Sequence, residues 1–158
     1  MKMRRADREV LDRAGLIEIL DKADACRLAF AAGGEPYIVT LSFGYEWEGE
    51  LPVLYFHCAR EGRKLDAMRA SPRVCFELDA EHELAKGPTA CSWGMKFASI
   101  VGYGTLAEVS GESERKAGLD SLMRHYGWEG AASYAEEALR ATTVLSLRAT
   151  ELSGKRKA

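Results

Sequence analysis

The chain has 158 residues, the length of one ordinary domain, and its 47% hydrophobic and 29% charged residues are typical of globular proteins. A formal net charge of −2 gives no general attraction for nucleic acid. No apolar run reaches the roughly 18 residues of a membrane span, and no apolar segment follows the basic N-terminus as in a secretory signal. We therefore expect one cytoplasmic domain over 1–158 with no nucleic-acid or membrane partner, whose basic ends (Met1–Arg5 and Lys155–Lys157) are solvated tails.

Most of the chain between residues 25 and 152 reads as strands joined by short loops. A helix over about 12–24 precedes them, where Asp12 can cap the first turn and Leu16, Ile17 and Leu20 share one face. The predicted strands are 25–30, Tyr37–Tyr45, Val53–Cys58, Arg73–Asp79, Met95–Val109 and Thr142–Glu151, with a turn at Gly33-Gly34 and loops at Glu46–Glu50 and Glu81–Thr89.

Three further helices are predicted between or after these strands. They cover Leu65–Ala70, which Pro72 ends, then Ser113–Tyr126 and Glu136–Ala141. Gly102 and Gly104 inside the long fifth strand indicate a bend or bulge. Six strands with few helical crossovers predict a mainly β (α+β) fold, a closed antiparallel barrel over about 25–109 and 142–152. No strand–GxGxxG–helix unit supports a Rossmann dinucleotide site.

The most informative chemistry lies in the segment 55–64, YFHCAREGRK. His57 lies near the end of a predicted buried strand. A turn that contains Gly62 follows, and Arg63 and Lys64 stand at the start of a predicted helix. Helix N-termini present unpaired N–H groups that favour anions, whereas cations there oppose the helix dipole unless an anion is bound. The segment is thus a plausible phosphate site, although solvated surface charges explain the same pattern.

Several segments together resemble the nitroimidazole-resistance branch of the pyridoxamine-phosphate-oxidase-like flavin proteins. The resemblance runs from about Arg4 to Arg156 and depends on the combination, because each segment alone is unspecific. The longest segments are 36–45 (PYIVTLSFGY), 54–79 (LYFHCAREGRKLDAMRASPRVCFELD) and 90–109 (ACSWGMKFASIVGYGTLAEV), supported by 3–13 (MRRADREVLDR), 26–30 (CRLAF), 124–127 (RHYG) and 152–156 (LSGKR).

The resemblance implies a six-stranded split barrel that forms a homodimer with two FMN sites at the subunit interface. In such proteins the strand matching Val39, Thr40, Leu41 and Ser42 offers backbone groups to the flavin ring. The stretch matching Phe56, His57 and Cys58 lies against the ring and the ribityl chain. The resemblance also assigns the FMN phosphate to Arg63 and Lys64, and a contact from the facing subunit to Ser99.

The sequence departs from pyridoxamine phosphate oxidases proper at two places. Those enzymes carry a lysine near the position of Ser42, and a C-terminal segment with tryptophan and arginine that binds the substrate phosphate. This chain ends instead in Leu152-Ser153-Gly154-Lys155-Arg156. Oxidation of vitamin B6 is therefore not expected.

Individual side chains leave alternatives open. His57 is either a hydrogen-bonded structural histidine or a catalytic flavin or substrate contact that donates a proton, since histidine titrates near neutral pH. Trp93 either packs in the core or forms a wall of the substrate pocket at a dimer interface. His125 is expected at the surface or an interface, His82 is not expected to bind a metal, and Cys58 cannot form a dyad with its strand neighbour His57.

The resulting prediction is an FMN-dependent oxidoreductase that reduces a small flat acceptor, such as a nitroimidazole, another nitroaromatic or a quinone. A reduced nicotinamide is the possible electron donor. The first alternative is a non-enzymatic flavin- or haem-binding protein that stores or senses its cofactor, with His57 able to ligate haem iron. The second is a deazaflavin-dependent reductase that uses the same pocket.

Overall fold

A computed structural model describes residues 4–157, apart from the side chain of Ala32, so Met1–Met3 of the expected N-terminal tail lie outside the described residues. Its helices are α1 (Arg13–Lys22), α2 (Arg63–Ala70), α3 (Glu112–His125) and α4 (Glu136–Ala141). Its strands are β1 (Glu9–Val10), β2 (Cys26–Phe30), β3 (Tyr37–Leu41), β4 (Gly44–Glu48), β5 (Leu51–Ala59), β6 (Arg73–Ala85), β7 (Gly94–Glu108) and β8 (Thr142–Lys157).

The strands form one antiparallel sheet in the order β3-β2-β6-β7-β8-β5-β4, with β1 beside β8. The two edge strands, β3 and β4, are consecutive in the chain and are joined only by Ser42 and Phe43. This connection brings the two edges of the sheet together, so that the sheet curls into a barrel. The predicted mainly β split barrel is confirmed, although the described residues form eight strands and not the expected six.

The barrel interior is filled by the inward-facing residues of the strands. In β2, for example, Cys26, Leu28 and Phe30 are buried and alternate with half-exposed residues, as the period of a strand requires. The largest fully buried side chains include three phenylalanines from different strands or corners: Phe43, Phe56 and Phe76.

Helix α1 covers one part of the barrel. The Asp12 carboxylate accepts a hydrogen bond from the Gly15 amide at 2.8 Å, which confirms the predicted N-terminal cap. The buried face of the helix consists of Leu16, Ile19 and Leu20. Ile17, which was predicted on this face, is only half-buried.

The prediction of one strand over Tyr37–Tyr45 is wrong, because the chain turns a corner at Ser42 and Phe43. The Phe43 side chain is fully buried, and its backbone amide donates to the Tyr126 hydroxyl at 3.2 Å. A Cβ atom on Gly44 would lie 2.3 Å from the backbone of α3, so only glycine fits there. The predicted loop at Glu46–Glu50 is likewise corrected, since β4 continues to Glu48.

Two strands extend beyond their predicted ends. Past a register shift between Ala80 and Glu83, strand β6 runs on to Ala85 by pairing with the start of β7, so the predicted loop at Glu81–Thr89 is partly strand. Strand β8 extends to Lys157, and Lys155–Lys157 pair with β7 instead of forming a solvated tail. The bulge predicted at the glycines of β7 is confirmed by a register shift between Tyr103 and Gly104.

Candidate functional site

Helix α2 begins directly after β5 and exposes its N-terminus. Gly62, the residue before the helix, has a φ of 130°, a conformation that side chains rarely adopt. No side chain caps this end, and the Gly62 carbonyl accepts only from the amides of Leu65 and Asp66, at 2.9 and 3.3 Å. The backbone amides of Arg63 and Lys64, the first two of the helix, therefore remain available to an anion.

Two cations stand at this helix end without a carboxylate partner. Among residues 4–157, neither Arg63 nor Lys64 forms an ion pair with Asp or Glu. The Arg63 guanidinium lies over the Tyr37 ring, with its Cζ 4.4 Å from the ring centroid. Burial raises the pKa of the Cys58 thiol, and the charge of Lys64 opposes this shift. Arg63 thus contacts β3, and both cations follow the end of β5 within five residues.

Strand β3 divides its predicted site residues between two faces. Thr40 and Ser42 are exposed on the outside of the barrel. Val39 and Leu41 pack against the core, so only their backbone groups can face a ligand outside the barrel. This arrangement agrees with a strand that contacts a ligand mainly through its backbone.

Strand β5 makes the same division. Phe56 and Cys58 are buried in the barrel interior, whereas the His57 side chain points outward and is exposed. Among the three residues, only His57 can therefore reach an external ligand with its side chain. The opposite orientations of His57 and Cys58 also rule out a local dyad.

A cavity of about 340 Å³ lies on the outer side of the barrel beside His57. Helices α3 and α4 and the segment between them form its walls, and both Ser42 and His57 border it. The cavity brings together one residue from β3–β4, one from β5 and eight from the C-terminal third of the chain. The lining consists of Ser42, His57, Leu119, Leu122, Met123, Tyr126, Tyr134, Ala138, Leu139 and Thr142.

The C-terminal end of α3 holds the β3–β4 corner in place. The Tyr126 hydroxyl accepts from the Phe43 amide and donates to the carbonyl of Asp24 at 2.7 Å. His125 Nε2 lies 2.8 Å from the Ala23 carbonyl oxygen, and its ring centroid lies 4.3 Å from that of Phe43. His125 is thus half-buried within its own chain, so the surface alternative is wrong and the interface alternative stays a prediction.

Tyr126 and Tyr134 are site residues that the sequence argument missed. The Tyr134 hydroxyl donates to an Asp120 carboxylate oxygen at 2.8 Å, and burial followed by this hydrogen bond raises the tyrosine pKa to about 12. The bond fastens the segment between α3 and α4 to α3. The RHYG segment at 124–127 was the available signal, but its spacing alone does not identify a partner on another strand.

Ser99 and Trp93 lie away from this group of residues. Ser99 is on β7, which β8 separates from β5, so it does not contact the cavity of its own chain. The predicted alternative of Trp93 in the core is wrong, since its side chain is 51% exposed. Its indole N–H donates to the Gly87 carbonyl at 3.0 Å, and Lys86 Nζ lies 5.5 Å from the ring centroid.

Residues 4–157 contain no group of three or more His, Cys, Asp or Glu side chains that could hold a metal ion. His82 instead pairs with Asp79 at 3.0 Å. None of the described helices combines the length and apolar character needed to cross a membrane.

Comparisons with known proteins complete the description of the site. A family model described as pyridoxamine 5'-phosphate oxidase matches residues 12–156. The chain is 29% identical to a candidate 5-nitroimidazole antibiotic resistance protein from Bacteroides thetaiotaomicron, with a TM-score of 0.80 over 94% of this chain and 86% of that one. No match was found among curated proteins.

Two further solved structures share the fold. An FAD-binding protein from Mesorhizobium loti is 25% identical, with a TM-score of 0.63 over 94% of this chain and 96% of that one. An FAD and heme binding protein from Mycobacterium smegmatis is 20% identical, with a TM-score of 0.78 over 95% and 73%. The predicted resemblance is confirmed, and the chain belongs to the pyridoxamine 5'-phosphate oxidase family of flavin-binding split barrels.

Proposed function

We propose that this protein is an FMN-dependent oxidoreductase that reduces a small flat acceptor such as a nitroaromatic or a quinone. The observation that carries the proposal is the position of Arg63 and Lys64. These two cations lack carboxylate partners within residues 4–157 and stand at the uncapped N-terminus of α2. That end contacts β3 through Arg63 and Tyr37 and follows β5 in the chain.

The α2 end fits a terminal phosphate. An arginine can bind two phosphate oxygens with parallel N–H donors, and a lysine adds a compact charge. The free amides at the start of α2 supply further donors, and a bound anion would relieve the unfavourable placement of cations at a helix N-terminus. We assign these residues to the phosphate of FMN, and the exposed edge formed by Thr40, Ser42 and His57 to its ring and ribityl chain.

The bound flavin would supply two-electron transfer from a reduced nicotinamide to a quinone. With one proton taken up, the products would be the oxidised nicotinamide and the hydroquinone. The chain itself binds the phosphate, orients the ring against β3 and β5, and excludes water with the apolar walls of the cavity. His57, exposed beside that cavity, can donate a proton to the acceptor. The relative from Bacteroides thetaiotaomicron supports a nitroimidazole among the acceptors.

The proposed assembly is a homodimer in the cytoplasm. Several large apolar side chains are exposed on the outer face of β3 and on the β6–β7 hairpin, a pattern that suits contact with a second copy. In such a dimer Ser99 and Trp93 of the second copy would complete each cofactor and substrate site. The exposed apolar residues are Ile38, Leu84, Trp93 and Met95, with 64%, 49%, 51% and 43% exposure.

A comparison of FMN with riboflavin tests the proposal directly, because riboflavin lacks only the phosphate. The wild type should bind FMN at least about 100-fold more tightly, since a lost charge-assisted hydrogen bond costs about 1.5–3 kcal/mol. In the double variant Arg63→Ala/Lys64→Ala the two ligands should bind within about fivefold of each other. Fluorescence quenching of the flavin during titration measures both affinities.

The matched control removes two cations elsewhere. Lys116→Ala/Arg148→Ala takes away the same charge from exposed ion pairs with Glu112 and Glu48. This control should keep the wild-type preference for FMN. A double variant at Arg63 and Lys64 that kept the preference, or a wild type without it, would contradict the proposal.

A haem-binding carrier is the second candidate. The His57 side chain has no hydrogen-bond partner in the described part of the chain, so its ring nitrogens are available to iron. The relative from Mycobacterium smegmatis, an FAD and heme binding protein, favours testing this. The visible spectrum of the purified protein separates a flavin from a haem, mass spectrometry separates FMN from FAD or a deazaflavin, and reduction by a nicotinamide separates an enzyme from a carrier.

A further inference from the structure

The cavity beside His57 is apolar except along one wall. Its lining from α3 and α4 consists of Leu119, Leu122, Met123, Ala138 and Leu139. Leu119 and Leu122 are buried, at 9% and 4% exposure, and they close the inner end of the cavity. A site of this composition gains affinity from apolar surface removed from water.

The polar groups of the lining divide into two sets. Tyr134 and Tyr126 already donate their hydroxyl hydrogens, to Asp120 and to the Asp24 carbonyl, and therefore act mainly as walls. The side chains of Ser42, His57 and Thr142 form no hydrogen bond within residues 4–157. Polar groups available to a ligand are therefore confined to the barrel side, where the flavin ring is proposed to lie.

This character is not a general property of clefts in the protein. A cleft of similar volume, about 320 Å³, lies beside Tyr45 and is lined by Asp21, Ser121, Arg124 and His125. An apolar ligand is disfavoured there, because the charged side chains would lose their hydration when it binds. The two clefts therefore differ in chemistry and hardly in size.

We propose that the apolar cavity binds the hydrocarbon part of the electron acceptor, while its oxygen faces Ser42 and His57. The acceptor class that fills the cavity is then a fused-ring or alkyl-substituted quinone, whereas a nitroimidazole is too small and polar to fill it. This inference rests on the proposed function and names the substrate class of the same site. Each methylene that enters the cavity should tighten binding about fourfold.

A series of redox-inert probes tests the cavity by itself. The probes are phenols with a methyl, ethyl, propyl or butyl group at position 4, which offer one hydroxyl and a tail of increasing length. Isothermal titration calorimetry on the FMN-loaded protein, and on the protein as purified, should give an affinity that rises about fourfold per methylene. Equal affinities along the series would overturn the inference, including the case in which a second copy of the chain already fills the cavity.

Adjacent positions on α4 provide a matched pair of variants. Both Ala138 and its neighbour Glu137 are exposed, but only Ala138 lines the cavity. Ala138→Trp should abolish the gain along the series, and Glu137→Trp should leave it unchanged. If both variants retained the gain, the probes would be binding elsewhere and the inference would fall. Circular dichroism and FMN titration check that both variants are folded.

Kinetics then connect the cavity to turnover. In Ala138→Trp the KM for 2-methyl-1,4-naphthoquinone should rise at least about tenfold, as a filled hydrophobic pocket predicts, while the KM for 2-methyl-5-nitroimidazole stays within about twofold. A parallel rise for both acceptors would contradict the assigned class. Failure of the protein to bind FMN would instead sink the proposed function, and the phenol series would still report on the cavity.

Discussion

Two groups of charged residues in this barrel contain the same kinds of cation, but only one group pairs them with carboxylates. At the start of α2, Arg63 and Lys64 have no carboxylate partner in the described part of the chain. Between α1, the β6 bulge and the end of β8, two cations and two carboxylates neutralise one another, in what we call the ion-pair quartet. Its members are Glu18, Lys22, Glu81 and Arg156, joined by contacts of 2.7, 2.6, 2.9 and 3.2 Å.

The quartet shows what the fold does with charges that serve structure. Hydrogen bonds from Lys22 and then Arg156 hold the pKa of Glu18 below its ordinary value, and the same carboxylate followed by Glu81 raises the pKa of Lys22. The interactions tie α1 to the two strand ends. The α2 pair lacks any such neutralisation in the described residues, and we propose that an external anion supplies it.

The largest expected effect comes from reversing one charge in each group. Lys64→Glu should weaken FMN binding by at least about 100-fold, because an ion pair is lost and a repulsion is introduced beside the phosphate. Lys22→Glu makes the same substitution in the quartet and should leave FMN affinity within about twofold. Flavin titration of both variants measures the contrast, and equal losses would show that the two groups do not differ in function.

A smaller effect is expected on removing a carboxylate from the quartet. Glu81→Gln leaves Lys22 and Arg156 with only Glu18, and the free energy of unfolding should fall by less than about 1 kcal/mol, as for other exposed ion pairs. The loss should shrink in about 1 M salt, where such pairs are screened. Urea denaturation at low and high salt checks this, and a loss that is insensitive to salt would point to a backbone effect at this residue.

The smallest expected effect is a dependence on pH at Glu18. Its pKa is lowered in the folded protein from an ordinary value of 4.5, so its stabilising contribution is present above that value and disappears as the pH falls through the lowered one. The stability difference between the wild type and Glu18→Gln should therefore be present at neutral pH and vanish in acid. Urea midpoints measured from about pH 7 to pH 2 check this. A stability difference that persisted in acid would contradict the assignment.

Local signals predicted much of the fold. The Asp12 cap, the end of α2 before Pro72 and the bulge beside Gly104 all depend on the chemistry of one or two residues. The corner at Ser42 and Phe43 does not, because it needs the Tyr126 hydroxyl and the backbone of α3, which lie about 80 residues further along the chain. The strand ends of β6 and β8 escaped prediction because polar residues paired with a distant partner look like loops or tails.

The candidate site divides in the same way. The place of Arg63 and Lys64 at a helix start predicted a phosphate site, which stays a prediction. Strand alternation correctly set His57 on the opposite face from Cys58. The apolar cavity could not be foreseen, because Leu119 and Ala138 come from separate helices that only packing brings together. Family resemblance gave the RHYG segment without a structural reason, which the Tyr126 bonds now supply.

The corner at Ser42 and Phe43 makes barrel closure and the proposed ligand binding depend on one short segment. The chain crosses there from one margin of the sheet to the other, anchored by Phe43 on the inside and by Tyr126 on the outside. A ligand bound against Ser42 would contact this corner from outside the barrel. Ligand binding should therefore make opening of the whole barrel less favourable. Amide hydrogen exchange at Phe43 would then be slower with the ligand than without it.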